Sequence, residues 1–222
     1  MSTLSERNYL SDWLCWEQDR NFSREKITIL AGSGSARELT DGMVLGKATK
    51  GAATGAAVAG NTGNGTITAS PTVGAAAKAG VYRLTCVEPA TDLGKFQVED
   101  PDGIVIGVAT VGTQFTTHLT FTIADGSTDF VSGDSFTITV AAGTGKWVQI
   151  DFSGTLGTED AAGILIGDAT AADGADGVGV ALVRNARIEP GKLTWPAGAT
   201  TNQKNAALAQ LLALGIIEAD AA

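Results

Sequence analysis

Reactive side chains are scarce in this chain. It has one histidine, His118, on the polar phase of a predicted strand, so nucleophilic triads and histidine-based metal sites have no partner for it. The nucleophile-elbow pattern G-x-S-x-G is absent as well. Two cysteines, Cys15 and Cys86, are too few for a disulfide framework, and Cys86 falls on the apolar phase of a strand, where a buried free thiol is expected. Aromatics make up 6% of the chain, which argues against both a thick aromatic core and an aromatic-lined sugar groove. Basic residues are outnumbered, 15 Lys and Arg against 24 Asp and Glu. The net charge of −9 excludes binding through phosphate neutralisation, so no nucleic-acid partner is expected. No apolar run is long enough to cross a membrane, and the start, Met1 to Arg7, lacks the apolar core of a signal peptide. Synthesis in a reducing cytoplasm follows as the expectation.

What remains is a chain with an interruption. Glycine is abundant, at 29 residues, which favours many turns and short strands. Residues 27–50 and 147–222 read as two parts of one small domain. The block between them is rich in Gly, Ala, Thr and Val. Within it, residues 51–65 hold no large side chain and read as a flexible linker.

Residues 66–146 then alternate with period two. Tyr82, Leu84 and Cys86 share one face, as do Phe96 and Val98, then Leu119, Phe121 and Ile123, then Phe136, Ile138 and Val140. Turns at Asp100-Pro101-Asp102-Gly103, Asp125-Gly126 and Ser132-Gly133-Asp134 separate these runs, a pattern expected of a small antiparallel β-sandwich.

In the outer parts, 26–30, 43–47, 163–167 and 178–183 are strand candidates. One helix is well signalled near the end. Thr200 with Gln203 forms a capping-box pattern, Leu208, Leu211 and Leu212 make a buried stripe, and Gly215 suits the position after the helix. The fold class is therefore mainly β with one C-terminal helix: a small mixed β/α domain interrupted by an antiparallel β-sandwich.

Residues 1–26 stand apart. Tyr9, Trp13 and Trp16 recur at i, i+4 and i+7, the spacing of one helical face. A helix this short is marginal alone and needs a surface, either its own domain or a partner. If it docks on a partner, Trp13, Trp16 and Phe22 supply the contacts, and the strand led by Ile27 and Ile29 can add main-chain hydrogen bonds.

Ligand motifs fail on inspection. Gly32-Ser33-Gly34 lacks the third glycine of a dinucleotide loop, where Arg37 stands. Gly143-Thr144-Gly145-Lys146 is followed by Trp147 rather than the hydroxyl residue of a phosphate loop. The carboxylates of Glu99, Asp100 and Asp102, and of Asp168, Asp173 and Asp176, lack EF-hand spacing and read as solvated turns. No cofactor, metal or catalytic residue is expected, and the chain does not read as an enzyme.

The C-terminal half resembles a known family. Gly157-Thr158-Glu159-Asp160-Ala161-Ala162-Gly163-Ile164-Leu165-Ile166 precedes a strand pair, Arg187-Ile188-Glu189, then Leu193-Thr194-Trp195-Pro196-Ala197-Gly198-Ala199, a helix and Gly215-Ile216-Ile217. This order is similar to the head decoration proteins of tailed bacteriophages of the phage lambda type. The inserted block, through Gly60 to Gly65, the Asp100–Gly103 turn and the Asp129-to-Thr139 stretch, resembles immunoglobulin-like modules that recur in phage structural proteins.

The resemblance implies a capsid decoration protein made in the bacterial host cytoplasm. It would sit on the outer capsid surface of the virion as a homotrimer at three-fold and quasi-three-fold positions. There it would bind the major capsid protein and hold the expanded head against DNA pressure. It also implies that the N-terminal arm makes the capsid contact, through Trp13, Trp16, Phe22, Ile27 and Ile29. The alternative is a phage fibre, tail or adhesin module whose sandwich binds host glycan or Ca²⁺.

Overall fold

The computed structural model describes residues 9–219. The chain opens with α1 (Leu10–Trp13), β1 (Leu14–Glu17), α2 (Arg20–Ser23), β2 (Arg24–Ile29), β3 (Arg37–Leu39) and β4 (Val44–Lys47). It continues with β5 (Lys50–Ala57), β6 (Thr66–Ile67), β7 (Thr72–Val73), β8 (Gly80–Ala90), β9 (Leu93–Glu99), β10 (Val105–Thr110), β11 (Gln114–Thr116), β12 (Leu119–Ala124) and β13 (Ser135–Ala142). It closes with β14 (Trp147–Gln149), β15 (Ala161–Ile166), β16 (Ala169–Ala171), β17 (Gly177–Leu182), β18 (Ala186–Ile188), α3 (Thr201–Ala213) and β19 (Ile216–Glu218). The protein is mainly β, with one substantial helix near the C-terminus. Two compact units divide it: Met1–Ala48 with Gly145–Ala222, and Thr49–Thr144.

In the outer unit, five strands close a barrel in the order β14-β2-β17-β15-β4. Neighbouring residues on these strands point to opposite faces; both faces are covered along β4 and β15, whereas β2 and β17 expose Thr28, Val178 and Val180. Val44, Ile164 and Leu182 join a cluster with Trp13, Ile188, Leu211 and Ile216. Their sequence neighbours Leu45, Leu165 and Ala181 join a second cluster with Ile27, Ile29 and Trp147. Burial on both sides is why β15 reads as a continuous apolar run, whereas β2 alternates Ile27 and Ile29 with polar residues.

The helix α3 starts as its sequence signals. Gln203 N donates to Thr200 Oγ1 at 3.3 Å, and Thr200 N donates to Gln203 Oε1 at 2.9 Å. Gly215 ends the helix at φ +77°, and a side chain there would collide with Asn185 Oδ1. The expected stripe is rotated: Ala207 and Leu211 are buried, whereas Leu212 is exposed. Gln210 fixes that rotation, accepting from Ala161 N at 2.7 Å and donating to Asp160 Oδ1 at 2.7 Å.

The inserted unit holds two antiparallel sheets, one ordered β10-β9-β8-β13-β5, the other β11-β12-β6 with β7 also paired to β12. One core cluster is shared by residues of both. Each residue placed on an apolar phase by the alternation, from Tyr82 through Val140, is buried there. The flanking polar residues face outward because a period-two strand can satisfy only one core.

Residues 51–65, expected to be a flexible linker, are not one. Residues 50–57 are the strand β5, paired along β13 from Phe136↔Ala57 to Ala142↔Lys50. Their small size reflects close packing rather than freedom. A Cβ on Gly55 would lie 2.3 Å from the Thr68 carbonyl oxygen, and a Cβ on Gly63 would lie 2.5 Å from the Phe130 ring. The Asp134 carboxylate then gathers the loop, accepting from Thr62 N and Gly63 N at 2.8 Å and from Val131 N at 3.0 Å. Asn61 exchanges two hydrogen bonds of 2.8 Å with the backbone of Ser135. The composition that suggested disorder is what lets backbone meet backbone.

Candidate docking face

Five residues were expected to make an external contact, and the structure divides them. Trp13 is wholly buried. Its indole Nε1–H donates to Asp41 Oδ1 at 3.2 Å, and the same oxygen accepts from Gly167 N at 3.0 Å. The ring lies so close to Gly42 that a Cβ there would come within 3.0 Å of it, and Gly42 also needs its φ of +76°. Ile27 and Ile29 are buried in the barrel wall. β2 pairs with β17 along its length and with β14 at Ile29, so Ile27–Leu30 is part of a closed barrel rather than a strand offered to a partner. These three are core residues, and the expectation that they reach outward is corrected.

Trp16 and Phe22 are exposed, by 56% and 46%. Trp16 owes its position to a bulge. In a regular strand Leu14 and Trp16 would share a face. Here the register slips between them, so Leu14 pairs with Ile188 and Trp16 with Arg187. Leu14 therefore packs on the core while Trp16 turns outward. The same outer row continues across the sheet, because Arg187 pairs with Ile217 on β19, and Ile217 is 44% exposed. Directly opposed residues in a sheet lie about 5 Å apart, so Trp16, Arg187 and Ile217 form one contiguous strip.

Phe22 is held differently. Arg184 Nη1 donates to the Phe22 carbonyl oxygen at 2.6 Å, and its guanidinium lies 5.3 Å over the Phe22 ring. Arg184 also pairs with Glu25. The ring is thus presented on a fixed cation rather than left to rotate, which lowers the entropy a partner must remove. Beside the strip, Asn205, Leu208, Ala209, Leu212, Ile216 and Glu218 line an open groove of about 350 Å³.

Sequence reasoning missed Arg187, Leu212 and Ile217. The doublet Ile216-Ile217 held a signal, since two adjacent apolar residues on one strand cannot both face the same core.

Over residues 9–26 the structure does not contain an independent arm. Residues 1–8 of the expected 1–26 arm lie outside the described residues. Beyond them, Trp13 anchors a core, β1 pairs with β18 and Val183 N donates to the Ser23 carbonyl at 2.8 Å. The helix expected from Tyr9 to Trp16 stops at Trp13, because the chain leaves it to pair with β18 and the bulge then supplies the outward turn.

The acidic clusters flagged in the sequence serve as local pins. Asp100 Oδ1 accepts from Asp102 N and Ile104 N at 2.9 Å, and Asp100 Oδ2 pairs with Lys78 at 2.7 Å. The Lys78 ammonium beside it, with those donors, holds the Asp100 carboxyl below its usual range. Asp173 accepts from Gly34 N, and Asp176 accepts from Ala31 N and pairs with Lys146. Asp168 accepts from Asp41 N. Asp92, Asp125 and Asp129 also bring carboxylate oxygens within 4.8 Å of one another on the insert, and Asp125 Oδ1 is buried there with no hydrogen-bond partner among the described residues.

The family model described as Bacteriophage lambda head decoration protein D matches residues 3–216. No curated protein matches the chain. Among solved structures, two crystal forms of Xanthomonas campestris FlgL, in space groups H3 and C2, align at 20% identity with TM-scores of 0.32 and 0.31. The alignments cover 46% and 49% of this chain and 33% of theirs, so the chain spans about a third of the FlgL length.

Proposed function

The chain belongs to the family of bacteriophage lambda head decoration protein D, and from that premise we propose that it cements the outer surface of the expanded phage head against the pressure of packaged DNA. Membership makes it a phage head decoration protein of the virion capsid. The finer reading is that it is made in the host cytoplasm and assembles on the shell as a homotrimer at three-fold and quasi-three-fold positions. There it grips the major capsid protein. The observation that carries this reading is the extent of the family match, which runs through both parts of the outer unit and across the insert between them.

The docking residues in this reading are Trp16 and Phe22, with Arg187 and Ile217 completing the strip. Burying an exposed Trp or Phe contributes on the order of 1.5–3 kcal/mol. Three copies held together multiply such modest contributions by avidity. Aromatic and arginine side chains are also the groups most often found at the energetic centre of an interface. The acidic surface agrees with a protein that never meets the packaged DNA. The rival reading, a glycan-binding module, has less support: all six aromatic rings of the insert are buried, so its surface offers none to stack on a sugar.

Co-sedimentation with purified heads tests the reading. The full chain should pellet with expanded heads and stay behind with unexpanded ones. Trp16→Ala should weaken binding by about ten-fold or more. Equal binding to both head forms would remove expansion-specific cementing, and unchanged binding by Trp16→Ala would remove the strip from the interface.

A further inference from the structure

The insert carries an open strand edge of unusual character. β10 lies at the end of its sheet and, among the described residues, pairs with β9 alone. The other end, β5, is partly covered, with Gly55 N donating to the Ala69 carbonyl at 3.0 Å. The edge strands of the second sheet are only two or three residues long.

Natural edges of this length are normally blunted by charge, proline or a bulge. In β10, Gly103 to Thr113 contains no charged residue and no proline, and the bulge is confined to Val105–Gly107, leaving Val108–Thr110 in regular register. A bulge sets its outward face. Val105 pairs with Glu99, Gly107 with Val98 and Val108 with Gln97, the register slipping at Ile106. Residues three apart would otherwise lie on opposite faces. The slip leaves Val105 and Val108 both outward, each 51% exposed, beside Ile104. Gly107 allows the slip, with φ +154° and no room for a Cβ beyond 3.0 Å from the Phe115 ring.

We propose that β10 is a self-pairing edge, through which the insert of one copy joins the insert of a second copy on the capsid surface by antiparallel strand addition. The occupant follows from charge. The insert is acidic, with eight carboxylates against four basic residues over 51–146, so copies repel except where charge is absent. Along β10 an antiparallel partner of the same sequence sets uncharged residues against uncharged residues and, with the register centred on Val108, places that valine against the same residue of the second copy. One strand pair of six residues falls far short of the roughly 800 Å² per partner of a stable complex. The pairing therefore needs copies already arrayed side by side, where effective concentration is high. In that respect it rests on the decoration reading above, and it adds a lateral link between decoration units.

The test is cross-linking on decorated heads. In a Cys15→Ser background, Val108→Cys is compared with Val87→Cys, an exposed position on β8 of the same sheet. Decoration is measured first by co-sedimentation, then oxidation is applied and dimers are resolved without reductant. With decoration intact, Val108→Cys should give a covalent dimer enriched by about ten-fold or more over Val87→Cys, and adding Val105→Lys should abolish it. Intact decoration with no enrichment overturns self-pairing and leaves the decoration reading standing. A cross-link to a different capsid polypeptide overturns it in favour of another occupant. Failure of every variant and of the parent chain to decorate overturns the decoration reading, and lateral pairing falls with it.

Discussion

The two units hide different things. The insert buries all six of its aromatic rings, three of them in an edge-and-tilt cluster of Phe96, Phe130 and Phe136, and exposes valine and isoleucine. The outer unit buries Trp13 and Trp147 but leaves Tyr9, Trp16 and Phe22 exposed. An exposed Trp or Arg-backed Phe provides large area with little rotamer freedom to lose, which suits docking on an unlike partner. A row of exposed aliphatics on a strand edge offers backbone hydrogen bonds and a shape that matches itself, which suits a like partner. The same exposed apolar area thus carries different meaning in the two units.

The largest test of this contrast is to break each core separately. All four tryptophans lie outside the insert, so Trp fluorescence reports on the outer unit alone. Phe130→Ala should cost the insert about 3–5 kcal/mol, shifting the far-UV circular dichroism melt while the fluorescence transition stays in place. Trp13→Ala should do the reverse, with a loss of about 3–5 kcal/mol read by the remaining tryptophans. If each variant moves both transitions equally, the units unfold as one and the contrast loses its thermodynamic meaning.

Next comes pH. Burial pushes the Asp134 carboxyl up, but its three backbone N–H donors more than offset this and hold it below the ordinary value of 3.8. A carboxylate with a depressed folded pKa stabilises the fold fully above its unfolded value. That contribution is lost as pH falls through the folded value. The insert should therefore weaken progressively on acidification below about 3.8. Asp134→Asn should flatten that dependence and cost about 2–3 kcal/mol at neutral pH, because donors lose a charged acceptor. Circular dichroism melts from pH 6 downward, at roughly one-unit steps, would show it; an unchanged slope in Asp134→Asn would mean that other carboxylates, Asp100 first, set the acid limit.

The smallest effect is the most discriminating. Trp16→Ala should change stability by no more than about 0.5 kcal/mol, as expected of an exposed side chain, while weakening capsid binding. A large stability loss would place Trp16 with Trp13 in the core and erase the division between anchor and docking residue.

How far the sequence reveals this depends on which constraint shaped each segment. The insert strands are legible because one face of each meets one core, and Phe96-x-Val98 or Phe136-x-Ile138-x-Val140 records that directly. The start of α3 is legible because a capping box is local chemistry. The stretch 50–65 is illegible because glycine and alanine chosen for close packing have the same composition as glycine and alanine chosen for freedom. The difference lies in Phe130, Asp134 and Thr68, of which the first two are distant in sequence. The N-terminal aromatics mislead for a related reason: a bulge between Leu14 and Trp16 reverses the phase that spacing alone would assign.

By itself, then, the sequence determined the family, the mainly β character, the alternating strands of the insert and the capped C-terminal helix. These follow from short-range periodicity, local hydrogen bonding and residue order. Only the tertiary structure decided that Trp13, Ile27 and Ile29 anchor the core, that Trp16 joins Arg187 and Ile217 on an outer strip, that residues 50–57 form a strand and that β10 is left with one open edge. Each of those outcomes depends on which distant backbone a residue meets, and spacing along one chain does not encode its cross-strand partner.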